Sequence, residues 1–221
     1  MSLQHKHLYN KDSDLLKVYK RADEAAKYFS EVDDKLFSYH NVLDFCASSK
    51  KCIQDESTKK KQILFWTYNN IGNLFLQKNS YSFDFQNMTH AIEAYQNALI
   101  FSNTSENQTE ILRKIRDIYH ALEDEDGYFK TSSKLADLVD DTLKMQIFLN
   151  LANVARSKTE EAYFLEKALS FVSKEDVSFL TKCQNTLNLC SKLLDIYEST
   201  GKRLDVVRIK SIQEKTQNQI N

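Results

Sequence analysis

Apolar residues recur at spacings of three and four along almost the whole chain, and that period predicts helix after helix. Leu15, Leu16, Tyr19, Ala22, Ala26 and Phe29 form the first stripe, behind a capping-type Asp12-Ser13-Asp14 cluster, and predict a helix over about 12–31. Asp33-Asp34 restarts the pattern, with Leu36, Phe37, His40, Leu43, Phe45, Ala47 and Ile53 on or beside one face and Cys46 next to it as a small hydrophobe. Ser57-Thr58 opens a third helix carrying Ile63, Leu64, Trp66, Tyr68, Ile71, Gly72 and Phe75, and a loop from Asn79 to Asn87 leads to a fourth over Ala91 to Phe101. Ser105 and Gln108 make a capping box before Ile111, Leu112, Ile115, Ile118 and Tyr119; Gly127 marks a turn, and Leu135, Leu138 and Val139 complete that hairpin. A further pair holds Leu143, Ile147, Phe148, Leu151 and Val154, then, after a Ser157/Glu160 box, Ala162, Phe164, Leu165, Ala168 and Leu169. Leu180, Cys183, Leu187, Cys190, Leu194 and Tyr197 form a long helix before Gly201, and Leu204 to Ile212 a closing one that runs into a polar tail. The expectation is an all-α chain of about ten helices in five hairpins, one domain over 1–221 with polar ends at about 1–11 and 214–221.

Composition sharpens this reading. The 221 residues contain no proline and three glycines, where average usage of ~5% would put roughly 11 prolines. The residue that most often breaks helices is absent, and a sandwich or barrel would need many more turn signals. Gly72 sits inside a helix, where it costs about 1 kcal/mol against alanine, so a neighbouring helix is expected to pass too close for a side chain.

The spacing of aromatics adds a period. Phe75 to Tyr119 is 44 residues and Tyr119 to Tyr197 is 78, two steps of 39; Ile115-x-x-Ile118-Tyr119 before Gly127 is echoed by Leu193-x-x-Ile196-Tyr197 before Gly201. A repeat near 40 residues marks a solenoid. The stretch Tyr68, Ile71, Gly72, Phe75 followed by Ala91, Tyr95, Ala98 resembles a tetratricopeptide repeat (TPR), in which an aromatic, an aliphatic, a small residue and an aromatic fill the first helix and Ala-x-x-x-aromatic-x-x-Ala fills the second. It departs in a longer inter-helix loop and in the missing proline after the second helix, and its long period is similar to the expanded repeats of vesicle-fusion adaptors and bacterial peptide-sensing regulators. The resemblance implies an α-solenoid whose first helices line a concave groove that holds an extended peptide or a helix of another protein.

Carried over by position, the resemblance puts Trp66, Asn69, Asn73 and Gln77 in that groove, and Arg113 and Asp117 in the equivalent places of the next hairpin. Asn73 matches the asparagine of the chaperone-tail clamp, and Asn69 stands where that clamp has lysine. Trp66, the single tryptophan, reads either as a binding hot spot or as packing between repeats. The implied function is a non-catalytic adaptor or scaffold; a peptide-sensing regulatory module is the alternative, and an RNA-binding helical repeat a third reading.

Charge weighs against RNA, because 30 basic and 31 acidic residues leave a net charge of −1 and no field toward phosphate. Catalytic and metal chemistry find no support. The five histidines are scattered, Cys183 and Cys190 lie about 10 Å apart along one helix, and three isolated glycines build no phosphate loop. No cofactor or metal is expected. Glu123-Asp124-Glu125-Asp126 reads as a solvated acidic turn. The four cysteines lack CxxC spacing and read as thiols in a reducing compartment. With no apolar run of membrane-spanning length and no signal-peptide pattern at the start, the expected location is cytoplasmic or nuclear.

Overall fold

The structure, a computed structural model, describes residues 13–53, 57–81, 84–174 and 176–220. Among these residues every regular element is a helix: α1 (Ser13–Tyr28), α2 (Val32–Ser48), α3 (Lys50–Ile53), α4 (Thr58–Tyr81), α5 (Phe85–Phe101), α6 (Ser105–Ala121), α7 (Glu125–Leu138), α8 (Asp141–Asn153), α9 (Lys158–Val172), α10 (Phe179–Ser199) and α11 (Arg203–Ile220). The helix start expected at Asp12 and the polar end at 1–11 lie outside the described residues.

Without proline, helices run until another signal stops them. The loop expected over Asn79 to Asn87 is mostly helix, since α4 continues to Tyr81 and α5 begins at Phe85. Asp84 makes that sharp restart by accepting a hydrogen bond from the Gln86 N–H (2.9 Å), while Asn79 Oδ1 accepts from the Asp84 N–H (2.7 Å). The polar stretch 213–220 is likewise helical, with Thr216 buried. The cap of α6 is Thr104, one residue before the expected Ser105, and it accepts from the Asn107 N–H. Gly127 lies inside α7; the turn sits earlier, with Glu123 at φ 55°. The Ser157/Glu160 box forms in half: Ser157 Oγ accepts from the Glu160 N–H, while Glu160 Oε2 accepts from the N–H of Arg156, one residue before the cap, rather than from that of Ser157.

The long second helix expected to reach Ile53 breaks at Ser49, whose backbone is extended (φ −81°, ψ 113°). Its buried stripe is Val32, Leu36, Tyr39, Val42 and Cys46. Phe37 and His40, expected on or beside that face, are exposed. The segment carries two overlapping three-and-four patterns, and packing selected the one containing Val42.

The chain forms two compact units, Met1–Asp124 and Glu125–Asn221. In the first, α1 pairs with α2 and α4 with α5, α2 packs on α4, and α6 packs on α5. In the second, α7 packs on α8, α8 pairs with α9, α9 packs on α10, and α10 pairs with α11. The helices expected as one hairpin, α6 and α7, thus belong to different units. Within each unit the helices pack mainly on their neighbours in sequence, as in a helical repeat array.

The α4–α5 hairpin shows why its small residues are needed. A Cβ built on Gly72 would fall 2.5 Å from Cε1 of Tyr95, well inside contact distance. Ala91, Tyr95 and Ala98 are fully enclosed, and Tyr68 stacks flat on Phe101 at 5.8 Å. The close approach expected at Gly72 is therefore present, and its agent is one aromatic ring. In the second unit Phe129, Phe164, Phe148 and Phe171 form a chain of ring contacts at 5.5, 6.5 and 5.9 Å.

Candidate functional site

Trp66, Asn69, Asn73 and Gln77 follow one another along α4 at steps of three and four, which keeps them on one face of the helix. That face is bordered by α1 on one side and α6 on the other. Toward α1, the Trp66 indole, 39% exposed, lies against the Tyr19 ring at 5.8 Å, so this residue both packs and remains accessible. Asn70 Nδ2 donates to the Tyr19 hydroxyl (3.3 Å), and the Tyr39 hydroxyl donates to Asp23 (2.8 Å).

Toward α6 the contacts are charged. Lys114 Nζ donates to Asn69 Oδ1 (3.0 Å) and Asn73 Oδ1 (3.2 Å), pairs with Glu110 (2.8 Å), and lies 5.4 Å from the centre of the Tyr95 ring. The Tyr95 hydroxyl donates to the same Asn73 oxygen (2.8 Å). Both asparagine carbonyl oxygens are thereby oriented inward on a cation. Their Nδ2 groups find no acceptor among the described residues and are free to donate elsewhere.

Lys114 was not among the residues read from sequence; Arg113 and Asp117 were. Arg113 is exposed, and Asp117 accepts from the neighbouring Arg116 at 2.9 and 2.7 Å, so neither joins the cluster. Gln77 is half-buried on α4 and makes no side-chain bond into it. Lys114 follows Asn73 by 41 residues, near one repeat period, but Arg113 at 40 fits that period equally, so spacing alone does not choose between them.

Burial pushes the phenols of Tyr19, Tyr39 and Tyr95 upward, with negative charge adding to it: Asp23 acts on the first two and Glu110 on Tyr95. All three keep their protons throughout the neutral range, and Tyr39 and Tyr95 go on donating. The hydrogen-bond directions of the seam are therefore insensitive to pH near 7.

Among the described residues no three His, Cys, Asp or Glu side chains gather as a metal site. Two carboxylates of the acidic stretch are engaged by an arginine instead: Arg156 pairs with Glu125 and Asp126, each at 2.8 Å, while its guanidinium lies 5.7 Å from the Phe129 ring. No helix among the described residues is long and apolar enough to cross a membrane.

No family model and no curated protein matches the chain. Among solved structures it is similar to a putative kinesin light chain of Podosopora anserina with nearly identical TPR-like repeats, at 12% identity over 95% of this chain and 98% of that one, with a TM-score of 0.42. It is also similar to BtubC (BKLC) from P. vanneervenii, at 13% identity over 97% and 92% of the two chains, with a TM-score of 0.39.

Proposed function

We propose that this helical-repeat protein is a non-catalytic adaptor whose α4 face, between α1 and α6, grips an extended peptide segment of another protein. The observation that carries this reading is the seam itself: Trp66, Asn69, Asn73 and Lys114 are brought side by side from two helices, with an accessible indole at one end and an ammonium group at the other. An aromatic anchor supplies apolar area, and the amide nitrogens of Asn69 and Asn73 supply donors for peptide carbonyls. Lys114 adds a charge-assisted bond to an acidic group. In the resemblance the clamp lysine belongs to the position filled by Asn69; here the ammonium reaches the same asparagine from α6.

The partner segment is expected to carry a carboxylate, either a side chain or a chain end, that replaces Glu110 as the counter-ion of Lys114. The test is affinity capture from native lysate with the wild-type chain and an Asn69→Ala, Lys114→Ala variant, followed by fluorescence anisotropy on the peptide mapped from the captured protein. Loss of the partner, with binding at least about tenfold weaker as for a bond to a charged group, supports the reading. An unchanged partner set at unchanged helical circular dichroism overturns it.

A further inference from the structure

Cys46 and Cys52 lie at the end of α2 and within α3. A continuous helix would hold residues six apart about 9 Å along its axis, beyond the ~7 Å limit between the Cα atoms of a disulfide. The break at Ser49 removes that separation: its extended backbone turns α3 back, and the two sulfurs stand 2.8 Å apart inside the core, with Cys46 9% and Cys52 6% exposed. Neither is in a disulfide. The other two cysteines make a contrast, since Cys183 and Cys190 sit on one unbroken helix seven residues apart, and burial pushes the Cys190 thiol up.

We propose that Cys46 and Cys52 are a redox pair that closes to an intramolecular disulfide on exposure to a peroxide-class oxidant. One sulfur, as thiolate, attacks a peroxide oxygen and becomes a sulfenic acid as water leaves. The second sulfur then displaces the hydroxyl, which departs as a second water, so that two thiols and one hydrogen peroxide give one disulfide and two waters. The bond lies beside the helix that carries the binding face: Lys60, in the first turn of α4, donates its ammonium to the Cys52 carbonyl. Oxidation therefore joins the end of α2 covalently to α3, whose Cys52 carbonyl already accepts a hydrogen bond from the start of α4.

The experiment uses the full, fully reduced chain treated with hydrogen peroxide, then unfolded, alkylated with iodoacetamide and measured by intact mass and tryptic mapping. Trypsin cuts after Lys50 and Lys51, between the two cysteines, so the disulfide appears as two joined peptides. The expected result is loss of two of the four alkylatable thiols, a single Cys46–Cys52 linked pair, and return of all four after dithiothreitol. Cys46→Ser should give no linked pair. Four thiols still alkylated after oxidation, a pair that includes Cys183 or Cys190, or oxygen added to the sulfurs without a link would each overturn the proposal. The wild-type measurement decides the matter even if a serine variant folds poorly.

Discussion

Gly72 trades helix propensity for contact, and the balance can be measured. Alanine there gains about 1 kcal/mol of helix propensity but places a methyl 2.5 Å from the Tyr95 ring, which is itself enclosed and tied to Asn73. Overpacking of about 1–3 kcal/mol should outweigh the gain, so Gly72→Ala is expected to lower the urea midpoint, and a second change, Tyr95→Leu, should recover part of that loss. Ser132 makes the opposite case. Its hydroxyl is buried in α7 without a hydrogen-bond partner among the described residues, so Ser132→Ala removes an unsatisfied group and is expected to raise the thermal midpoint, by up to about 1 kcal/mol of stability. At this scale Gly72 was legible, because a costly residue in a helix interior needs a compensating neighbour. Lys114 was not, because its contact with asparagines 41 and 45 residues away depends on how α6 is rotated against α4.

Helix ends obey signals of one or two residues, and these govern the elements. Gly201 closes α10 with φ +71°, the left-handed conformation that a Cβ penalises by about 1–2 kcal/mol. Among the described residues nothing lies within 4 Å of a Cβ placed there, so backbone strain is what is at issue. Gly201→Ala should therefore cost roughly that much stability and lower the denaturant midpoint, while Glu123→Gly, at φ 55°, should raise it. Comparing the two midpoints with wild type checks both. Local pattern places most helices and misses their limits: Gly127 predicts a turn because glycine usually marks one, whereas the αL position falls to Glu123. The rotated stripe of α2 has the same origin, since two apolar patterns compete locally and only contacts with α1 and α4 choose between them.

For the whole molecule, burial of phenols makes high pH the sensitive direction. Tyr39, Tyr95 and Tyr197 are all shifted up, mainly by burial and then by neighbouring carboxylates. A raised folded value means the folded state holds its proton more tightly than the unfolded one. Stability from these groups is thus complete below the unfolded value of about 10 and is lost as pH climbs from there through the folded values. Urea midpoints followed by Trp66 emission should be flat in this respect from pH 7 to about 9.5 and fall above it, with a shallower fall in Tyr95→Phe. The two compact units suggest a second measurement: a 1–124 fragment is expected to keep helical circular dichroism and a cooperative transition, since both apolar clusters around α1 to α6 lie within it.

What this chain's sequence determined unaided is the helical class, four of the five expected hairpins and the tight α4–α5 contact, because period, proline absence and small-residue spacing are local properties read within a few turns. Tertiary structure alone decided which of two stripes α2 buries, that the helices expected as the third hairpin divide between two units, that Lys114 rather than Arg113 meets Asn69 and Asn73, and that Cys46 and Cys52 touch. Each of these depends on rotation or on a single backbone break such as Ser49. Helical period constrains spacing along an axis but leaves the angle around it to packing.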